Sequence, residues 1–198
     1  MKFIGITGGV GAGKSTVLDL LKNNFNCRVL LADTVAADLL TPGHDCFDKV
    51  VALDWPSFIL TKDGIIDRPL MASFLYNSQK LRDQVNAIVH PAVKDEVLSQ
   101  VQAEKDIGAI DYFFFEAALL IECGYGELVD QMWYIYADDE IRRKRLKDSR
   151  GYSDDRVDAM MASQLSDQDY RAGSDIVIDN GGSQKNTLDQ LRQALDLL

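Results

Sequence analysis

Gly5-Ile6-Thr7-Gly8-Gly9-Val10-Gly11-Ala12-Gly13-Lys14-Ser15-Thr16 decides how this chain is read. Gly8, Gly13, Lys14 and Ser15 fill the pattern G-x-x-x-x-G-K-[ST], a loop whose main-chain N–H groups cradle phosphates. Lys2 to Ile6 reads as a short apolar strand entering the loop. Val17, Leu18, Leu20, Leu21 and Phe25 give the apolar face of a helix beginning near Lys14. The chemistry needs that context. Glycines let successive N–H groups turn inward on an anion, and the helix start adds its partial positive charge. Lys14 is expected to reach the β- and γ-phosphates, and the Ser15 hydroxyl to hold Mg²⁺. Gly11, Ala12, Gly13, Lys14, Ser15 and Thr16 are therefore the expected binding residues of a nucleoside triphosphate.

Outward from this loop, 198 residues suit one domain with embellishments or a core with one insertion, and 46% hydrophobic content suits a buried core. A net charge of −10 argues against a general nucleic-acid or anionic-membrane binder, which needs a basic face. Cys27, Cys46 and Cys123 are odd in number, far apart and without C-x-x-C, which fits a reducing compartment and neither a zinc site nor a disulfide framework. Met1-Lys2 runs straight into the first strand, and no apolar run approaches the roughly 20 residues of a membrane span. The expectation is a soluble cytoplasmic protein.

Strands and helices alternate, which favours an α/β fold with a largely parallel sheet. Cys27 to Leu31 is a second strand, ending at Ala32-Asp33, and Val35, Ala36, Leu39 and Leu40 trace a brief helix stopped by Thr41-Pro42-Gly43. The next sheet-like run is Tyr112 to Phe115. Between them Leu70, Met71, Phe74 and Leu75 share one helical face and Leu81, Val85, Ile88 and Val89 another. Pro91 reads as the first residue of a further helix carrying Val93, Val97 and Val101. So much helix between two strands predicts an inserted helical domain over 60–108. Met132 to Tyr136 and Asp175 to Ile178 complete five strands. Leu188, Leu191, Leu195 and Leu198 make the last helix amphipathic. The predicted architecture is a three-layer nucleotide-binding fold with core segments 1–59, 109–138 and 171–198, and a helical lid over 139–170. In such sheets the working residues gather beyond the carboxyl ends of the strands.

Asp33 lies there, on the rim of the phosphate loop if the sheet is parallel. Its carboxylate could take a proton from an attacking hydroxyl. It also stands where a helix N-cap is expected, and position alone leaves both readings open. Glu116 follows the third strand, as an acid that orients Mg²⁺ through water or as one that merely opens a helix over Ala117 to Ile121. Glu122 reads as a solvated or substrate-side residue. Arg142 to Arg150 holds six of the 21 cations in nine residues. A charge run is usually a solvated face. In an acidic chain, just after a strand, it also suits a lid that brings guanidinium groups onto a phosphoryl group, with Arg145 and Arg150 as the chosen pair. Ser153 reads as the N-cap of a following helix with Val157, Met160, Met161 and Leu165 on its apolar face. His90, before Pro91, has no second ligand residue at metal spacing, and His44 carries no signal.

Taken together these motifs resemble the dephospho-coenzyme A kinase family over nearly the whole chain. The likeness covers the loop 5–16, Ala32-Asp33, Asp63-Gly64-Ile65-Ile66-Asp67-Arg68-Pro69-Leu70 and Val85 to Pro91. It continues through Leu119-Leu120-Ile121-Glu122, the arginine stretch and Asp175 to Asn180. The resemblance implies transfer of the ATP γ-phosphate to the ribose 3′-hydroxyl of dephospho-coenzyme A, with Asp33 as base. It implies a helical substrate-side domain containing Arg68 and His90, and Asn180 near the adenine. Asn180 is otherwise a turn asparagine. The chain departs from the family pattern at Leu31 (usually aspartate), Ala118 (usually proline) and Arg142 (usually glutamine), and carries one extra residue between Arg145 and Arg150. The resemblance leaves a monomer or a weak homo-oligomer as the expected state. Other readings are a kinase of a nucleoside monophosphate or other small hydroxyl substrate, and a non-catalytic ATP-binding regulator. A switch GTPase is excluded by the missing N/T-K-x-D.

Overall fold

The computed structural model describes residues 1–197. In chain order the elements begin with β1 (Lys2–Thr7), α1 (Lys14–Asn24), β2 (Cys27–Leu31), α2 (Ala32–Leu39), α3 (Asp45–Val51), α4 (Arg68–Asn77), α5 (Gln79–Ile107) and β3 (Tyr112–Glu116). A single 3₁₀ turn, Tyr125–Glu127, leads to β4 (Gln131–Tyr136), α6 (Asp139–Arg150), α7 (Asp154–Ala162), α8 (Asp167–Ala172), β5 (Ile176–Asp179) and α9 (Gln184–Asp196). The chain falls into two compact units, one of Met1–Leu30 with Ile107–Leu198 and one of Leu31–Asp106.

The first unit is built on a five-stranded sheet of order β2-β3-β1-β4-β5. β1 pairs parallel with β3 and β4, and β4 with β5. Phe113, Phe114, Phe115, Trp133 and Ile135 are wholly buried. Continuous apolar runs of this kind belong to parallel strands covered on both faces, because the crossover helices must lie over the sheet. From β1 the chain moves out to the edge at β2, and from β3 it moves to the opposite side at β4. The reversal is flanked by β1, at whose carboxyl end the glycine loop emerges, the position where open α/β sheets hold ligands. At the opposite end, Asp130 and Asp175 stand one residue before β4 and β5. Asp130 accepts the Phe3 N–H on its carboxylate at 2.7 Å and returns its own N–H to the Phe3 carbonyl at 2.7 Å. Asp175 does the same with Met132, at 2.7 and 2.8 Å.

Side-chain caps begin the later helices: Asp138 for α6, Ser153 for α7, Ser166 for α8 and Ser183 for α9. Each accepts an N–H of the first turn that would otherwise lack a partner. Over 139–170, where a helical lid is expected, the chain forms three helices, because Ser163 to Ser166 break it after α7 and recap it at α8. The helix expected over Ala117 to Ile121 does not form; the segment turns and meets the 3₁₀ turn. Leu191 and Leu195 are buried on α9, and Leu198 lies outside the described residues.

The second unit is helical. α2 begins at Ala32 with Leu31 as its N-cap, so Asp33 is a first-turn residue and not the cap. α3 has no counterpart in the sequence expectations. Ile59 to Asp67 doubles back through the Leu60–Ile66 bridge, with Asp63-Gly64 at the tip, and Asp67 caps α4 by accepting the Leu70 N–H at 3.0 Å. Pro91 does not start a helix. α5 runs through it for 29 residues. Its buried residues are Leu81, Val85, Val89, Val93, Val97 and Val101, one every four positions on both sides of the proline. That packing offsets the hydrogen bond Pro91 cannot make. Among the described residues no helix is long and apolar enough to cross a membrane.

Candidate active site

The glycine loop joins β1 to α1. Gly13, at φ +86°, holds a backbone shape that disfavours any side chain, and a methyl there would overlap the Asn180 amide nitrogen. Loop peptides that turn N–H groups inward present their carbonyls outward, and those carbonyls need donors. The structure supplies them from distant elements. Asn180, 3% exposed in the turn after β5, donates to the carbonyls of Ala12 at 2.8 Å and Gly13 at 3.2 Å. Its own amide oxygen accepts the Thr187 hydroxyl at 3.1 Å. Arg145 of α6 donates to the carbonyls of Gly11 at 3.4 Å, Ala12 at 3.1 Å and Asn180 at 2.8 Å.

One turn earlier, Arg142 Nε donates to the Val10 carbonyl at 3.0 Å and its Nη2 to Gln164 Oε1 at 3.0 Å. The same Gln164 oxygen accepts the Val10 N–H at 3.0 Å. Lys14 Nζ donates to the Gly8 carbonyl at 2.8 Å and lies 3.5 Å from Glu116 Oε1. Glu116 ends β3 in register with Ile6, which is why a strand-terminal acid meets the loop lysine. Both are largely buried, at 17% side-chain exposure, so their opposite charges act through little water.

The basic run is thus divided by helical geometry. Arg142 and Arg145, three apart, face the loop, while Arg143 and Lys147 form ion pairs with Asp158 and Asp154 of α7. Arg150 stands exposed at the end of α6, its guanidinium 5.9 Å from the centre of the Tyr152 ring. Beside the loop-facing arginines, Tyr134 and Tyr170 stack at 4.7 Å and the Tyr134 hydroxyl donates to Asp167 at 3.2 Å. Burial pushes both phenols above their ordinary range, helped by the charge of Asp167 at Tyr134 and of Glu122 at Tyr170. Glu122 itself is exposed. Ser15 is exposed and Thr16 half-buried in the first turn of α1.

A phosphate loop in this setting is common to many nucleotide enzymes, but the whole chain is more specific. Residues 2–186 match the family described as dephospho-CoA kinase. The chain belongs to the dephospho-CoA kinase family. A dephospho-CoA kinase of Carboxydothermus hydrogenoformans is 34% identical over 191 residues, 96% of this chain and 91% of its own. One from Geobacillus kaustophilus is 33% identical over 188 residues, 95% of this chain and 92% of its own. Among solved structures, TT1252 from Thermus thermophilus superposes with a TM-score of 0.80 at 25% identity, over 99% of this chain and 96% of that one. Membership does not favour the nucleoside monophosphate kinase and regulator readings.

The dephospho-CoA kinase motifs of the second unit are placed as follows. Asp33 is exposed in the first turn of α2, two residues beyond β2. Arg68, at the start of α4, donates to the Ala37 carbonyl of the same α2 at 3.2 Å. His90 is exposed on α5, just before Pro91. The first unit therefore brings together the loop, Lys14, Glu116, Arg145 and Asn180, while Asp33, Arg68 and His90 belong to the second. Sequence reasoning missed Gln164 and Thr187 as partners of the loop region. It placed Arg142 in the basic run and noted it as a departure from the family pattern, but chose Arg145 and Arg150 as the working pair. The one signal for Gln164 was its place just past an amphipathic helix in the expected lid.

Proposed function

We infer that this chain transfers the γ-phosphoryl group of ATP to the ribose 3′-hydroxyl of dephospho-coenzyme A, the final step of coenzyme A biosynthesis. The observation that carries it is a phosphate loop with its lysine and its carbonyl donors in place, within a chain of this family over residues 2–186. Main-chain N–H groups of Gly11 to Thr16 take the phosphates and Lys14 turns from the Gly8 carbonyl to the β- and γ-oxygens. Arg145 adds positive charge at the loop, and Asn180 borders the adenine. Most of the rate comes from position and charge, since the transferred group passes through a state with charge spread over its oxygens.

Asp33 takes the proton of the attacking hydroxyl. Its exposed position in the first turn of α2, just past the end of β2, supports that role. The segment 60–108 is the acceptor-side domain, with Arg68 and His90 as its substrate residues; Glu122 is a further substrate-binding residue. The segment 139–170 is the lid, from which Arg150 reaches the phosphoryl group as a second cation. The donor set fits Mg²⁺: a Ser15 hydroxyl and a Glu116 carboxylate are hard oxygens, and among the described residues no cluster of three or more His, Cys, Asp or Glu forms a protein cage. An ion of this kind keeps waters and substrate oxygens. Ser15 and Glu116 would hold it, and when bound it would neutralise charge on the β- and γ-phosphates. A cytoplasmic monomer or weak oligomer suits a chain of charge −10 with three free thiols.

The test is ADP release coupled to dephospho-coenzyme A. Purified protein with ATP and Mg²⁺ is expected to release ADP only when the acceptor is added, and no acceptor-dependent release would reject the reading. Asp33→Asn is expected to bind ATP as before and lose at least about a hundredfold in turnover; unchanged turnover would remove Asp33 from the mechanism.

A further inference from the structure

Two glycines of the loop answer to no requirement of the phosphate motif. Gly9 and Gly11 fill x positions of G-x-x-x-x-G-K-[ST]; Gly11 is required by its own backbone, at φ +80°, and a side chain at either would run into Arg142 of α6. A methyl on Gly9 would overlap Arg142 Nη2 and lie 3.0 Å from Gln164 Oε1, and one on Gly11 would lie 2.8 Å from the Arg142 carbonyl oxygen. The outer wall of the loop is thus shaped to admit α6, and Arg142, with a side chain only 11% exposed, fills it. There the guanidinium, the Gln164 amide and Val10 close a ring of three hydrogen bonds, each 3.0 Å. Val10 is held by both of its main-chain groups, from residues 132 and 154 positions away.

We propose that Arg142 and Gln164 are positioning residues that clasp Val10 and hold the phosphate loop in its anion-accepting shape. The proposal rests on the functional reading above and assigns a role to two residues outside the motif. The clasp takes up the Val10 N–H, so phosphate recognition falls to the peptides from Gly11 onward. It also joins the loop to α6 and to the turn before α8. A loop without the clasp samples other shapes, and the apparent affinity for ATP falls by the fraction of molecules in the competent one. Saturating ATP restores that fraction, so turnover is preserved.

The test compares Arg142→Leu, Gln164→Leu, the double variant and Gly9→Ala. Steady-state kinetics, calorimetric ATP binding without acceptor, and ligand-free melting are measured on each. Each single variant is expected to raise KM and Kd for ATP about tenfold with kcat within about twofold. The double variant is expected to stay within about twofold of the worse single, because both act through Val10. Wild-type ATP binding in folded variants, multiplied effects in the double variant, or lower melting with KM unmoved would each overturn the clasp. Gly9→Ala removes no polar group, so it carries the test if Arg142→Leu fails to fold. If the wild type binds ATP but does not phosphorylate dephospho-coenzyme A, the functional reading fails while the binding constants still judge the clasp.

Discussion

Asn180 is a short side chain with both ends of its amide engaged in a buried place. Removing it in Asn180→Ala takes away one of two donors at each of the Ala12 and Gly13 carbonyls, which keep Arg145 and the Val17 N–H, and leaves the buried Thr187 hydroxyl only the Ser183 carbonyl at 3.4 Å. A loss of about 1–3 kcal/mol is expected in urea unfolding. Asn180→Asp keeps the shape but sets carboxylate against carbonyl oxygen, so it is expected to lose at least as much stability and to weaken ATP binding further; wild-type behaviour in both measurements would contradict this account. Tyr134 and Tyr170 give a pH prediction. Their phenols are raised above the ordinary value near 10, so the neutral native form is favoured. Their contribution to stability is complete below the unfolded-chain value and is lost as pH rises beyond it, because the unfolded chain then releases protons that the native chain keeps. Absorbance titration should show two phenols ionising above the ordinary range, and Tyr134→Phe should flatten the alkaline fall in melting temperature. At this scale Lys14 and Gly13 were legible because the loop motif that marks them is local in the sequence. Thr187 and Gln164 were not, since nothing in a linear pattern says which distant side chain a loop carbonyl will meet.

Among the elements, α6 shows how a charge run is parted by geometry. Its positions three apart reach the loop, and the neighbouring pair reach α7 through Arg143–Asp158 and Lys147–Asp154. These pairs lie in water, with side-chain exposures from 39% to 68%. Asp154→Asn with Asp158→Asn is therefore expected to cost less than about 1 kcal/mol, and the difference should fade in about 1 M NaCl. A loss of several kcal/mol would mean the α6–α7 pairing is held more by charge than by the buried Leu146 and Val157. α5 was misread because proline is a strong start signal, although the fourfold spacing from Leu81 to Val101 ran unbroken past it. Pro91 offers no N–H to the Ala87 carbonyl, so Pro91→Ala is expected to stabilise the protein by roughly 1–3 kcal/mol, read by thermal or urea unfolding.

For the molecule as a whole, the sheet class was legible because buried parallel strands are written as unbroken apolar runs, Tyr112 to Phe115 above all. The strand order was not, since the runs say nothing about who pairs with whom; α3 escaped because seven residues carry too short a period to stand out. What fixes the pairing is visible at the amino-terminal ends of the strands. Asp130 and Asp175 each trade two hydrogen bonds with one residue of the neighbouring strand. If β4 slid two residues along β1, its side chains would still face the same way and hydrophobicity alone would scarcely object. The aspartate, however, would lose the Phe3 amide; the exposed carboxylate would return to water, but the N–H of the buried Phe3 would be left without its acceptor at about 1–3 kcal/mol. The two acids therefore serve as proofreaders of alignment while the chain assembles, rejecting slipped arrangements that greasy contacts would tolerate.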